Sequence, residues 1–215
     1  MFSRNTMTNS QRSSVLDTYA EGQRYFMGEG QLNNTLTRLV ADLRKHDIDY
    51  LVIGAIALMA YGYPRFTEDI DLIVDANGLD RFHHELVGLG YAPAFQGARK
   101  RFRATRDGIP IELISAGEYP GDGKPKPVSF PQPSEASVEI DGVKFPTLEK
   151  LVELKLASGM TAPDRLKDLA DVQELIKLRS LSDEFAERLN PYVREKYLEL
   201  LNAVKRGKET NVFEE

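Results

Sequence analysis

LVIGAIALMAYGYPRFTEDIDLIVD, residues 51–75, decides how this chain is read. The apolar run Tyr50-Leu51-Val52-Ile53 has the length of a buried strand, and it stops at Gly54. Ala55 to Ala60 is a small-residue run that suits a helix, Tyr63-Pro64-Arg65 reads as a turn, and a second strand follows with Asp69 and Asp71. Side chains alternate across a strand, so two carboxylates two residues apart share a face, while Ile70, Leu72 and Val74 take the other. Like charges roughly 5–7 Å apart repel, and one is pushed toward protonation unless a cation sits between them. Hard carboxylate oxygens suit Mg²⁺, which binds through one or two carboxylates plus substrate phosphates. Two solvated aspartates at a strand end fit the carboxylates alone equally well.

The turn before them narrows the choice. A glycine between strand and helix lets backbone N–H groups approach a phosphate, with the helix N-terminus adding a favourable dipole. Strand, Gly54-Ala55 turn, helix and Asp-x-Asp strand therefore place a phosphate seat beside a metal seat. Gly54-Ala55, thirteen residues (56–68), then Asp69-Ile70-Asp71-Leu72 resembles the signature of the DNA polymerase beta-like nucleotidyltransferases. That signature is hydrophobic-Gly-Gly/Ser, a spacer, then Asp-hydrophobic-Asp/Glu-hydrophobic. Ala55 stands where a Gly or Ser is usual; it keeps the room but offers no hydroxyl to the phosphates.

Composition sets the frame. With 215 residues, 41% of them hydrophobic, the chain is long enough for a sizeable core, so general disorder is not expected. No apolar run approaches the roughly 20 residues of a membrane helix. The polar opening MFSRNTMTNSQRSS lacks the apolar centre of a secretion signal, and the expected location is cytoplasmic. There is no cysteine, which excludes disulfides, thiolate metal sites and cysteine nucleophiles. The net charge of −5 argues mildly against a nucleic-acid partner without excluding a local basic patch.

Leu32, Leu36, Leu39, Val40 and Leu43 recur at helical spacing, predicting an amphipathic helix over 31–46. A looser apolar face predicts a short helix over 15–28, after a mobile start. Residues 99–106 read as a strand with a basic face, Asp107-Gly108 as a hairpin turn, and 109–114 as the returning strand. Glu112 is the only acid within that apolar strand. It is either solvated on an edge or, buried, in need of a partner or metal. Residues 118–133, rich in proline, form a long loop: a lid, a substrate loop or a mobile insertion. A small hairpin follows over 137–145, turning at Asp141-Gly142, and Thr147 caps the next helix.

Lys155 lies within the apolar face of that helix and either snorkels or faces phosphates. Beyond Pro163, Leu166, Leu169, Ala170, Gln173 and Ile176 form the expected core stripe of another helix. Asp164, Asp168 and Asp171 crowd within about 60° on a different stripe, an arrangement that disfavours an isolated helix. Lys167 is placed to offset Asp171, whereas Asp168 needs a cation from elsewhere, such as Arg165 or Lys155. Arg165-Leu166-Lys167-Asp168-Leu169-Ala170-Asp171 resembles the Arg-x-Lys-Asp-x-x-Asp motif of AbiEii-type nucleotidyltransferases, the toxin halves of abortive-infection and toxin–antitoxin systems. Lys155 matches that family's lysine, and Arg65-x-Thr67 its lead-in to the aspartates; the likeness spans about residues 31–178.

The expectation is an α/β (α+β) nucleotidyltransferase fold, a mixed sheet flanked by helices with a C-terminal helical part. Its divisions are an N-terminal extension over 1–30, a core over 31–146, a helical part over 147–206 and a frayed tail over 207–215. The resemblance implies transfer of a nucleoside monophosphate from an NTP to an acceptor, in several family members a tRNA 3′ end, with an antitoxin as partner. Expected metal (Mg²⁺) ligands are Asp69, Asp71 and Glu112. Expected nucleotide contacts are Gly54, Ala55, Arg65, Thr67 and Lys155, and Asp168 completes the catalytic set. The alternatives are a protein or small-molecule acceptor, or an inactive nucleotide- or partner-binding module in which Ala55 reflects lost activity.

Overall fold

The computed structural model describes residues 30–212, and the expected 15–28 helix lies outside them. Helix α1 (Gln31–Lys45) buries Leu32, Leu36, Leu39, Val40 and Leu43, the expected stripe. Strand β1 (Tyr50–Val52) runs into α2 (Gly54–Ala60), and an extended segment leads to β2 (Ile70–Val74). Residues 61–62 make the turn after α2, ahead of the expected Tyr63-Pro64-Arg65. Helix α3 (Ala76–Arg81) continues as one wide turn over Phe82–Leu86. The Asp75 carboxylate accepts the Gly78 N–H at 2.5 Å, so Ala76-Asn77-Gly78 opens a helix rather than a loop.

Strands β3 (Tyr91–Pro93), β4 (Arg101–Ala104) and β5 (Pro110–Ser115) complete a five-stranded mixed sheet of order β1-β2-β5-β4-β3. Only β2 and β5 pair in parallel; the other pairs are antiparallel. Strand β5 is therefore interior, which removes the reading of Glu112 as an edge residue. On the back of the sheet the Phe82 ring packs tilted against Phe102, with centroids 4.7 Å apart, and against Tyr91, 5.5 Å apart, all buried. Each such ring contributes about 1.5–3 kcal/mol by burial. Helix α1 is tied to the β4–β5 turn, where Asp107 accepts from Thr35 at 2.6 Å and Arg38 at 2.5 Å.

The hairpin of β6 (Ser137–Ile140) and β7 (Val143–Pro146) turns at Asp141 and Gly142, both with left-handed φ. Thr147 then caps α4 (Leu148–Thr161) by accepting the Lys150 N–H. A short turn (Pro163–Arg165) precedes α5 (Leu166–Arg179), and α6 (Asp183–Glu187) and α7 (Pro191–Val212) close the helical layer. Helix α7 continues beyond residue 207, where the frayed tail was expected to begin. The face of α5 differs from expectation: Leu166 is 67% exposed, while Asp168 and Asp171 point inward beside Val172 and Leu175.

The long loop is closed on itself by hydrogen bonds and packs against α4. Gly117 donates to Phe130 and Phe130 back to Glu118, both at 2.8 Å. Lys126 reaches Pro120 and Asp122, each at 2.6 Å, and Val128 is buried. Gly121 (φ +75°) lies so close to Ser158 and Thr161 of α4 that a Cβ there would collide. Of the three expected roles for this loop, a loosely attached insertion fits these bonds worst.

Candidate active site

Every residue expected at the site lines one cleft of about 450 Å³ between the open face of the sheet and helices α4 and α5. Strands β2 and β5 place Asp71 beside Glu112, and β4 places Arg101 on the other side of Glu112. Strand β2 begins at Ile70, so Asp69 sits one residue before it, exposed, with its carboxylate accepting from the Thr67 hydroxyl. Arg101 approaches Glu112 at 3.6 Å.

Gly54 has φ +69°, a conformation that favours glycine. It also abuts Asp71: a Cβ at residue 54 would lie 3.3 Å from Asp71 Cγ and closer still to Oδ2. The glycine thus seats the carboxylate as well as opening the turn. Gly54→Ala is expected to cost about 1–2 kcal/mol from the backbone alone and to push the Asp71 carboxylate aside. A modest fall in Tm accompanied by a disproportionate loss of nucleotide affinity is the expected pair of measurements.

Burial first, and then the charges of Asp69 and Glu112, together raise the Asp71 pKa to about 6 against the opposing pull of Lys155 and Arg165. An acid in that state is stabilised by a bound cation. Among the described residues no three acidic or imidazole groups form a ready-made metal cage. Mg²⁺ is commonly held by one or two carboxylates, with substrate phosphates and waters filling the rest. Asp69 and Asp71, with Glu112 adjacent, fit that use.

The opposite wall is a buried charge network. Lys155, 7% exposed, places Nζ 2.8 Å from Asp168 Oδ1 and 2.7 Å from Asp171 Oδ2. Asp168 also accepts the Ser158 hydroxyl at 2.7 Å, and Asp171 accepts Arg65 at 2.5 Å. Burial alone would raise the Asp168 pKa, but the charge and hydrogen bond of Lys155, with Ser158, outweigh it and hold the carboxyl below its usual range. Lys155 therefore does not snorkel. Asp171 is offset by Lys155 and Arg65 instead of by Lys167. The inward turn of α5 follows, because a buried ammonium needs its counter-charges at hand. Ser158 and Asp171 were not among the expected site residues. Asp171 was visible in sequence as the last residue of the Arg-x-Lys-Asp-x-x-Asp motif and as a third acid on one stripe, without an assigned site role, and Ser158 carried no sign.

No family model matches the sequence, and no curated protein does. Solved structures do. The solution structure of the antibiotic-resistance factor ANT(2'')-Ia aligns with a TM-score of 0.50 at 14% identity, covering 81% of this chain and 95% of that one. This is a nucleotidyltransferase fold. A crystal structure of ANT(2'')-Ia in complex with adenylyl-2''-tobramycin gives a TM-score of 0.48 at 17% identity, with coverages of 81% and 97%. An antigenic nucleotidyltransferase-like protein from Paracoccidioides brasiliensis gives 0.45 at 18% identity, with coverages of 67% and 75%. No helix among the described residues is long and apolar enough to cross a membrane.

Proposed function

We propose that this protein is a Mg²⁺-dependent nucleotidyltransferase of the AbiEii type, moving a nucleoside monophosphate from an NTP to an acceptor such as a tRNA end, in a toxin-like role with an antitoxin partner in the cytoplasm. The observation that carries the reading is the convergence of Gly54, Asp71 and Glu112 with Arg65, Lys155 and Asp168 on one cleft. In this reading an acceptor hydroxyl oxygen bonds to the α-phosphorus, the bond from that phosphorus to the bridging oxygen breaks, and pyrophosphate leaves with the electron pair. Glu112 takes the hydroxyl proton. Asp69 and Asp71 would hold Mg²⁺, which would supply charge neutralisation at the phosphates. Gly54 and Ala55 let the turn approach the triphosphate, with Thr67 and Arg65 beside it. Lys155 has three N–H donors, and its two carboxylate contacts leave one for a phosphate oxygen.

The test is direct. The protein is incubated with each labelled NTP, Mg²⁺ and either total RNA or total protein. Label in an RNA band supports the tRNA-type acceptor, and label in a protein band moves the acceptor to the first alternative. Calorimetric binding of Mg–NTP with no transfer to any acceptor indicates the inactive module, and absence of binding defeats the enzyme.

A further inference from the structure

Asp171 Oδ2 is the atom at which the two walls of the cleft meet. Arg65 Nη1 reaches it at 2.5 Å from the segment that runs through Thr67 to Asp69, and Lys155 Nζ reaches it at 2.7 Å from α4. Residue 171 is 3% exposed. A carboxylate buried between cations of two different layers is poorly explained by stability, since a well-packed apolar group often does as well or better. Its charge matters more. Arg65 and Lys155 carry two positive charges, Asp168 and Asp171 two negative ones, so the network is neutral and both cations are held at fixed positions on the cleft wall.

We infer that Asp171 is a positioning residue for nucleotidyl transfer. It fixes Arg65 and Lys155 in one geometry and restrains their attraction for the polyphosphate of the unreacted NTP. The inference rests on the nucleotidyltransferase reading above. Cations held in place serve the transition state, in which phosphate charge shifts toward the leaving group. Cations freed from their counter-charge bind the ground state as well, which adds nothing to the rate.

The two ends of the Arg65–Asp171 pair then respond with different signs. Asp171→Asn removes the counter-charge, so the Kd of Mg–NTP stays equal or tightens, while kcat falls about tenfold or more from lost orientation. Arg65→Lys keeps the charge but not the guanidinium fork, so Kd holds within about twofold while kcat falls. Arg65→Gln removes the charge and weakens Kd. Calorimetry with a non-hydrolysable Mg–NTP and steady-state kinetics on the full chain read both quantities, with Tm measured alongside. A merely structural Asp171 lowers Tm and leaves Kd and kcat of the folded fraction unchanged, which overturns the inference; so does a Kd that weakens in step with kcat. If Asp171→Asn does not fold, Arg65→Lys decides: a kcat equal to wild type overturns the inference, and the kcat-only loss supports it. Wild-type protein that neither binds nor turns over any Mg–NTP defeats the enzymatic reading itself, a result separate from an inert Asp171→Asn beside an active wild type.

Discussion

Asp71→Asn gives a folded protein with NTP turnover reduced about a thousandfold or more, because several kcal/mol of charge stabilisation at the phosphates is lost with the metal. The same variant is more stable than wild type when metal is withheld at pH 8. The folded-state pKa of Asp71, about 6, lies above its ordinary value of 3.8. The folded state therefore holds the proton more tightly than the unfolded chain does. Below pH 3.8 both states are protonated and nothing is lost; as the pH rises to 6 and beyond, the folded protein carries the full penalty of a buried anion beside Asp69 and Glu112. Two pKa units correspond to about 1–3 kcal/mol. Denaturation in chelator between pH 4 and 8 shows wild type losing stability relative to Asp71→Asn as the pH rises, and Mg²⁺ restores wild type alone. Equal pH slopes for the two proteins contradict the electrostatic account of Asp71, and retained turnover in the variant contradicts the metal assignment.

Lys155→Met has the largest expected effect on stability. It removes the ammonium that faces both Asp168 and Asp171, residues 6% and 3% exposed. Arg65 still answers Asp171, and Ser158 still donates to Asp168, so the uncompensated charge falls chiefly on Asp168. Breaking a buried pair from one side costs about 3–5 kcal/mol, which in a domain of this size lowers Tm by about 10 °C. Adding Asp168→Asn to Lys155→Met removes the stranded anion and recovers much of that loss. A thermal melt of the single and double variants checks this: a double variant no more stable than the single one contradicts the ion-pair assignment.

Much of this site is legible in sequence because local chemistry and global fold agree there. The Gly54 turn, the Asp107-Gly108 hairpin and the Thr147 cap each follow from backbone rules that neighbouring residues satisfy alone. Helix α5 is where local rules mislead. Hydrophobic periodicity sends carboxylates outward and Leu166 inward, and the reverse occurs because a lysine thirteen residues before Asp168 is buried and requires them. No pattern within α5 contains that lysine. Strand β3 escapes notice for a different reason: three residues ending in Pro93 make too short a run to show alternation, and proline is tolerated there only because the strand is an edge. The role of Gly54 is half visible, since its left-handed turn reads from sequence but its contact with Asp71 depends on how β2 lies beside it.

The single parallel pairing in the sheet has an engineering corollary. Asp71 and Glu112 are neighbours only through the β2–β5 ladder, and the chain between them leaves and returns by way of α3 and the β3–β4 hairpin. Lengthening the excursion at an outer bend such as residues 95–98 lets both ends of the ladder stay where they are. Deleting one residue from β5 ahead of Glu112 inverts its side chain onto the rear of the sheet, trading an acid for Leu113 in the cleft. Tolerance to length change is thus sharply graded along the stretch between Asp71 and Glu112, and a scan of single-residue deletions would trace the outline of the cleft from stability alone.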